Sequence, residues 1–399
     1  MKYDFKMNEY FCILGGGGIR GAAYAGAIKA FDELNIKITG WAGSSIGAVV
    51  AGLVSFGYST KEIQDVFDNV NFEFFKDLNF NIGKDFALSK GKVFYEWMKN
   101  KIESKFYPDY DENKEYPPVC FKDLKKELVI FTVDLTTSKL YEFSKTKTPD
   151  SEIAHAIRVS VAMPGLYSPV FNEDECLVDG DLLKSMPLWK ASDTISNLDD
   201  RILEFRLEAN ETKKRIKNTV EYLNAVYDSV SGIASDFVIN TYKNCDKYDY
   251  IKINLEGISV VDFMIEKEKR KEMADIGYTT TMNYFKKTYP VKKEKLFKIY
   301  KKIFSAFQKI TFLIKNNDIE NAKFETSDII ASIIDEKEII DKKLLNKICS
   351  FRESFQNNCI LKQGFLKSSS KLIDKEKLIL FSRQINEDAF KKINEFNNV

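Results

Sequence analysis

The sequence predicts an α/β fold with a mostly parallel central sheet, followed by a C-terminal helical appendage. Within the first 56 residues, apolar runs at 11–14 and 36–42 alternate with helical patterns at 19–34 and 46–56. This alternation is typical of parallel strands with helices on the faces of the sheet. After Pro290 the apolar residues follow helical spacing and no strand pattern occurs. A chain of 399 residues is therefore expected to hold one large domain and an appendage.

The middle of the chain adds further elements to the predicted sheet. The clearest strand pattern runs from 128 to 135, and weaker ones occur at 139–143, 176–178, 202–207 and 248–255. A helix is predicted at 151–161 with Ser151 as its N-cap. The polar stretch 107–118 holds three prolines and is predicted to be a surface loop.

Composition narrows the functional classes. Hydrophobic residues make up 44% of the chain, which is enough for a substantial core. Lys and Arg number 60 against 59 Asp and Glu, so the net charge of +1 gives no general field that would attract nucleic acid. The six cysteines form no Cys-x-x-Cys pair and the chain has one histidine, which argues against a zinc site. We therefore expect no metal, no cofactor and no nucleic-acid partner.

The distribution of apolar residues along the chain predicts where the protein is located. The first residues are polar and lack the apolar core of a signal peptide. No run reaches the roughly 18 apolar residues that a membrane span requires. The sequence predicts a soluble, cytoplasmic protein, and delivery to another cell by a route without an N-terminal signal peptide stays open.

A serine lies in a Gly-x-Ser-x-Gly motif between the second predicted strand and the following helix. The motif runs from Gly43 through Ser45 to Gly47. Glycines flank the serine in such turns because side chains at those positions would collide with neighbouring backbone. The turn would raise the Ser45 hydroxyl above the sheet as a nucleophile, although the motif taken alone is weak.

A run of four glycines follows the first predicted strand and allows two interpretations. Gly16, Gly18 and Gly21 satisfy the Gly-x-Gly-x-x-Gly pattern of dinucleotide-binding proteins. That interpretation needs an acidic residue at the end of the next strand, where the chain instead has Thr-Gly-Trp-Ala at 39–42. A phosphate-binding loop is also excluded, since no Gly-Lys-Ser/Thr follows.

The glycine run is better suited to an oxyanion hole. Backbone N–H groups of Gly16, Gly17 and Gly18 could lie about 3 Å from a tetrahedral oxyanion. Arg20 could steady this loop or meet a substrate phosphate. The alternative for Arg20 is a surface ion pair.

The nucleophile needs a base. The only histidine, His155, lies within a predicted helix, and the order Ser, His, Asp matches none of the familiar triads. Asp179 comes directly after a short apolar strand and before a glycine, so it is expected at the carboxyl edge of the sheet. Burial there would raise its pKa and make it a better base. Asp174 and Asp181 are nearby competitors.

With the glycine loop, the serine motif and Asp179-Gly180 in this order, the chain resembles the patatin-like phospholipase family. Segments 121–124, 159–170 and 276–278 add to the likeness, which extends over residues 8–287. The resemblance implies a three-layer sandwich in residues 8–287, with 288–399 as a helical region of unknown role. It also implies a dyad of Ser45 and Asp179 without histidine.

Two positions depart from the pattern of that family. The third residue of the Asp-Gly motif is commonly Gly or Ala, and here Asp181 places a second carboxylate near the base. Ser44 stands where threonine is frequent. Neither change removes a reacting atom.

The resemblance implies hydrolysis of phospholipid acyl esters (phospholipase A type) through an acyl-enzyme. Three alternatives stay open: a lysophospholipase or general lipid esterase, an acyltransferase, and an interaction protein that kept the fold without turnover. A labelling experiment at Ser45 would separate the last from the enzymes.

Such an enzyme has to reach a phospholipid surface, and two segments could serve. Phe72 to Phe80 is rich in phenylalanine and could form a lid or an acyl channel, or pack in the core. Lys286 to Lys302 holds eight lysines and one acid. With Phe297, Phe304 and Phe307 at helical spacing, it predicts an amphipathic membrane-surface helix, or else a helix packing its aromatic face on the main domain. Region 288–399 could also dock a protein partner or an activator.

Overall fold

The chain forms two compact units in the computed structural model. The sheet unit comprises Asn8–Lys243 and Tyr248–Tyr284, and the helical unit comprises Met1–Met7, Asn244–Lys247 and Phe285–Val399. The structure describes residues 9–70, 87–172, 174–183, 188, 192–196, 198, 200–208, 216, 222, 225, 246–258, 265–336, 340–358 and 375–397. The predicted lid, Phe72 to Phe80, lies outside these residues. The domain limits 8–287 and 288–399 stay predictions.

The sheet unit contains every predicted strand and three short strands, at 87–89, 165–167 and 170–172, that were not predicted. Those in the described ranges are β1 (Glu9–Leu14), β2 (Lys37–Ser44), β3 (Ala87–Ser89), β4 (Glu127–Asp134), β5 (Lys139–Ser144), β6 (Gly165–Tyr167), β7 (Val170–Asn172), β8 (Glu175–Asp179), β9 (Arg201–Glu208) and β10 (Tyr248–Asn254). Eight of these described strands form one sheet in the order β10-β9-β1-β2-β4-β8-β7, with β5 also paired to β4. Pairing is parallel from β10 to β4 and antiparallel for β5, β7 and β8. The prediction of a mostly parallel central sheet is confirmed.

Helices connect and cover these strands. They are α1 (Ala23–Leu34), α2 (Ile46–Ser55), α3 (Thr60–Asn69), α4 (Lys92–Phe106), α5 (Ile153–Ser160), α6 (Asp193–Ser196) and α7 (Lys267–Asn283). The first residues of the predicted helix 19–34 instead form a short 3-10 helix, Gly18–Ala22. Helix α2 is buried from Ile46 to Leu53, since its small apolar residues allow close packing on the sheet.

Helix α5 begins later than the sequence predicts. Its N-cap is Glu152, so the assignment of Ser151 was wrong. The backbone before the helix is already used, because Ser151 O accepts the N–H of Phe121 and the N–H of Ile153 donates to Val119 O. Tertiary pairing with the 119–121 segment therefore decides where the helix begins.

The described part of the helical unit contains no strand, as predicted for the chain after Pro290. Its helices are α8 (Tyr289–Lys315), α9 (Ile319–Ile333), α10 (Lys342–Asn358) and α11 (Lys375–Asn397). Tyr300 and Phe307 lie in their shared core, and Phe297 and Phe304 pack against it. The aromatic residues of α8 therefore pack in the helical unit's own core, which neither of the two predicted arrangements, a membrane-surface helix or a helix packing on the main domain, describes. Lys298, Lys301 and Lys302 remain exposed.

Candidate active site

Ser45 occupies the strand-to-helix turn between β2 and α2. Its backbone adopts φ 52° and ψ −128°, a conformation that is rare for residues other than glycine and costs roughly 1–3 kcal/mol. Every other residue from Gly40 to Leu53 is buried, whereas Ser45 is partly exposed. The turn therefore lifts this one side chain out of a closely packed region, as the sequence motif predicts.

Close packing at Gly47 explains why the turn needs glycine. A Cβ at this position would lie 2.0 Å from the carbonyl oxygen of Leu14, at the end of β1. The helix can start against β1 only because residue 47 has no side chain. Cβ atoms at Gly21, Gly43 and Gly180 would likewise come within 2.0–2.4 Å of Ile46, Gly47 and Phe131 respectively.

Ser160, which the sequence analysis did not identify, stabilises the Ser45 turn through two hydrogen bonds. The backbone N–H of Ser45 donates to Ser160 Oγ at 3.0 Å, and the Ser160 hydroxyl donates to Phe131 O at 2.7 Å. Ser160 at the end of α5 thus connects the Ser45 turn to β4 by hydrogen bonds. Its sequence context, Val-Ser-Val, carries no signal that could have singled it out.

Asp179 lies in the same row of the sheet as Ser45. Ser44 pairs with Phe131 of β4, so Ser45 follows at the level of Thr132, which pairs with Asp179 on the other side. With strands about 4.8 Å apart, the two backbones lie roughly 10 Å from each other across β4.

The sequence analysis placed Asp179 at the end of a parallel strand, whereas the structure places it at the end of an antiparallel one. Strand β8 runs antiparallel to β4, so Asp179 does not lie at a parallel strand's carboxyl edge. The strand enters from that edge and ends level with Ser45. The residue is 1% exposed, its N–H donates to Ala162 O at 3.0 Å, and its Oδ1 accepts the N–H of Asp181 at 2.8 Å.

The glycine loop lies directly against the serine turn. A Cβ on Gly16 would come within 2.8 Å of Ser45 Cβ and 2.6 Å of Asp181 Cγ. The N–H of Gly16 donates to Asp181 Oδ1 at 2.9 Å, so this group is already engaged. Gly17, with φ 153°, and Gly18, with φ 57°, lead into the 3-10 helix. The first N–H groups of a helix have no intrahelical acceptor, which makes those of Gly18 and Ile19 the natural donors to a ligand.

Two side chains hold the loop from either side. Arg20 is buried, and its Nε donates to Ile258 O at 2.8 Å, so the alternative of a surface ion pair was wrong. The hydroxyl of Tyr24 donates to Gly15 O at 2.7 Å. Burial raises the pKa of Tyr24 well above its usual value, which keeps this hydroxyl protonated as a donor.

The other candidate bases have different surroundings. His155 is exposed on α5, five residues before Ser160 and therefore on another face of the helix. Asp181 is 3% exposed and lies near Arg206, with Nη1 at 3.8 Å from its Oδ1. Asp174 is exposed in the turn before β8, consistent with a solvated role.

Neither a metal-binding cluster nor a membrane-spanning helix occurs in the described residues. Within those ranges, no group of three or more His, Cys, Asp and Glu side chains is arranged to hold a metal ion. Every helix described is too short or too polar to cross a bilayer.

The fold and the turn define the class: an α/β protein with a Gly-x-Ser-x-Gly turn between a buried strand and a buried helix, facing a glycine loop. Residues 12–192 match the family model for patatin-like phospholipases. This region is therefore a patatin-like phospholipase domain, and the resemblance seen in the sequence is confirmed.

Known proteins similar to this chain are distant in sequence. The uncharacterized protein YqhO of Bacillus subtilis is 23% identical over 298 residues, which cover 69% of this chain and 97% of YqhO. The probable lipid hydrolase 463L of Invertebrate iridescent virus 6 is 24% identical over 200 residues, covering 47% and 65%. The crystal structure of VipD from Legionella pneumophila superposes with a TM-score of 0.51 at 16% identity, covering 97% and 90% of the two chains. That likeness shows a shared fold, and the predicted patatin-like architecture is confirmed.

Proposed function

We propose that this protein is a serine acyl hydrolase that cleaves fatty acyl esters of phospholipids with a dyad of Ser45 and Asp179. One observation carries the proposal. A partly exposed serine in a strained turn lies in the same row of the sheet as a buried aspartate. The patatin-like phospholipase domain and the lipid hydrolase name of a viral relative support the substrate class.

The first chemical step forms an acyl-enzyme. Asp179 takes the proton of Ser45 Oγ while that oxygen attacks the ester carbonyl. Backbone N–H groups of the glycine loop, from Gly17 to Ile19, hold the resulting oxyanion, with Gly16 and Arg20 fixing the loop. Each such donor is worth on the order of 10²–10³ in rate. When the intermediate collapses, the leaving alcohol takes the proton from Asp179.

The second step regenerates the enzyme. Asp179 takes a proton from a water molecule that attacks the acyl carbon, and the fatty acid leaves as Ser45 Oγ regains the proton. The same carboxylate thus acts as base and acid in both halves, and the chemistry uses no metal or cofactor.

Mass spectrometry of products from defined phospholipids tests the dyad. We expect Ser45→Ala and Asp179→Asn each to lower fatty acid release by at least about 10³-fold, since both reacting groups are needed. His155→Ala is the matched control and should keep most of the activity, because its side chain is exposed on another face of α5. Complete loss in the histidine variant with an intact fold, or turnover in Ser45→Ala, would overturn the assignment.

The same products separate the alternatives within the enzyme class. Release from the sn-1 or sn-2 ester of diacyl lipids indicates phospholipase A activity, and release only from monoacyl lipids indicates a lysophospholipase. Transfer of the acyl group to an added alcohol indicates an acyltransferase. Failure of Ser45 to react with a fluorophosphonate would favour the interaction protein without turnover.

We also propose that the enzyme reaches its substrate as a peripheral membrane protein through the lysines of α8. Lys298, Lys301 and Lys302 are exposed, and the aromatic residues beside them point into the helical core. Each basic residue near an anionic leaflet contributes about 1 kcal/mol, so a triple change to glutamine should weaken binding by roughly 100-fold. Region 288–399 is also where we expect a protein partner or activator to dock.

Vesicle co-sedimentation with the full chain measures this contribution. Vesicles containing phosphatidylserine should bind the unaltered protein and release the triple variant. The control changes three exposed lysines of the sheet unit, Lys37, Lys122 and Lys147, to glutamine. Equal binding by the triple variant and the unaltered protein would contradict the role of α8.

A further inference from the structure

A buried chain of one tyrosine and three charged side chains runs from the far edge of the sheet to the glycine loop. Tyr248 of β10 donates to Glu204 Oε2 at 2.7 Å, and Glu204 Oε1 accepts from Arg206 Nε at 2.6 Å. Arg206 Nη1 lies 3.8 Å from Asp181 Oδ1. All four side chains are buried.

Asp181 connects the three parts of the proposed site. Its Oδ1 accepts the N–H of Gly16 at 2.9 Å and the hydroxyl of Ser44 at 3.2 Å. Its own N–H donates to Asp179 Oδ1 at 2.8 Å. One residue thereby contacts the glycine loop, the residue before the nucleophile and the base.

The contact with Gly16 leaves little freedom to the loop. Gly16 lies between Asp181 and Ser45 so closely that a Cβ would collide with both. Because its N–H is fixed to the carboxylate, the next N–H groups, from Gly17 onward, are directed by the same bond. The direction of those groups decides how well they meet an oxyanion.

A carboxylate this close to a developing oxyanion would by itself be unfavourable. Arg206 offsets its charge, because a guanidinium stays protonated in proteins. Arg206 is buried, and its guanidinium is in turn bound by Glu204 at 2.5 Å. The arrangement keeps the acceptor for Gly16, and Arg206, which is shared with Glu204, offsets part of the charge of Asp181.

We propose that Asp181 is a positioning residue, which with Arg206 holds the glycine loop in the geometry needed to bind the oxyanion formed at Ser45. The assignment rests on the proposed function. Position 181 is one of the two places where the sequence departs from the pattern of the family that it resembles.

Kinetics of three variants test the proposal on the full chain with a soluble acyl ester. Asp181→Ala removes the acceptor for Gly16 and should lower kcat by roughly 100-fold, as expected for a displacement of about 1 Å, with little change in KM. Asp181→Asn keeps an oxygen acceptor and should stay within about tenfold of the unaltered enzyme. The matched control is Asp134→Ala, which removes a carboxylate of similar burial that bonds Thr136, Thr137 and Cys176 instead. It should lower stability and leave kcat in place.

Hydrogen exchange of the peptide that contains residues 15–20 gives a readout independent of turnover. Exchange should be faster in Asp181→Ala and near normal in Asp181→Asn. If Asp181→Ala does not fold, Arg206→Gln takes its place: the uncompensated carboxylate should then lower kcat at least about tenfold. Three results would each overturn the proposal. The first is an equal kcat in Asp181→Ala and the unaltered enzyme, the second is an equal loss of kcat in the Ala and Asn variants, and the third is unchanged hydrogen exchange of residues 15–20. Turnover that survives Ser45→Ala would refute the dyad instead, and the exchange data would still judge the loop.

Discussion

The contact between α2 and the end of β1 leads to a sharp prediction for Gly47→Ala. The new Cβ would lie 2.0 Å from Leu14 O and 2.5 Å from Leu14 C. Unbonded carbon and carbonyl oxygen normally stay about 3.3 Å apart, so the helix start or the strand end has to move by about 1.3 Å. Overpacking costs about 1–3 kcal/mol, and we expect the upper end because the obstacle is backbone.

The same displacement acts on Ser45, the proposed nucleophile, because this residue directly precedes the helix. A shift of about 1 Å at reacting groups can cost about 100-fold in rate. Gly47→Ala should therefore lower the melting temperature by roughly 6–12 °C and slow acylation of Ser45 by about 100-fold. Thermal unfolding gives the first quantity, and the rate of fluorophosphonate labelling of the folded protein gives the second.

The other end of α2 provides the control. Gly57 has φ 80°, and a Cβ there would have nothing within 4 Å. Gly57→Ala should cost only the strain of a left-handed residue, about 1–2 kcal/mol, and leave the labelling rate unchanged. The reasoning is refuted if Gly47→Ala melts and labels like the unaltered protein, or if both variants slow labelling equally.

Three further predictions concern stability. Arg20→Met removes the donor to Ile258 O and should lower the free energy of unfolding in urea by about 1–3 kcal/mol. An unchanged urea midpoint would show that this buried hydrogen bond does not stabilise the fold. Hydrogen bonds from Thr137 and, to a lesser extent, Thr136 and Cys176 lower the pKa of Asp134 to about 2, below its unfolded value of about 3.9. This stabilisation is present above about pH 4 and is lost as the pH falls toward 2, so urea midpoints of Asp134→Asn should fall less between pH 6 and pH 3 than those of the unaltered protein. A parallel fall would show that Asp134 does not contribute. Lys392→Met removes the ammonium group that lies 2.8 Å from the carboxylate of Asp246. This change should destabilise the helical unit by about 3–5 kcal/mol, measured by urea unfolding followed by circular dichroism. A loss below about 1 kcal/mol would mean that the ion pair is solvated.

Local pattern was a good guide wherever a segment's burial is one-sided or complete. The strand at 128–135 lies at 127–134 in the structure, and the strand at 202–207 lies at 201–208. The first is a nearly continuous apolar run, which a parallel sheet buries on both faces. The second alternates apolar residues with Glu204 and Arg206, and all of these residues are buried. The helix after Ser45 was also placed correctly, since its small apolar residues leave no other packing.

The errors arose where a segment's partner is distant in sequence. Ser151 has the chemistry of an N-cap, but pairing with the 119–121 segment moves the start of α5. Strand β8 looked like one more parallel strand, and its direction depends on which edge of β4 is free. The phenylalanines of α8 have amphipathic spacing, and that spacing cannot tell a bilayer from the core of a helical unit.

By itself, the sequence determined the α/β class, the helical appendage and the residue types available for chemistry. Short sequence motifs are enough to identify the single histidine, the serine between glycines and the aspartate before a glycine. Only the folded structure shows that Asp179 lies across β4 from the Ser45 turn, that Arg20 is buried, and that Asp181 binds Gly16. The reason is physical: these contacts join residues up to 238 positions apart, and their geometry depends on sheet register and packing, which no local pattern encodes.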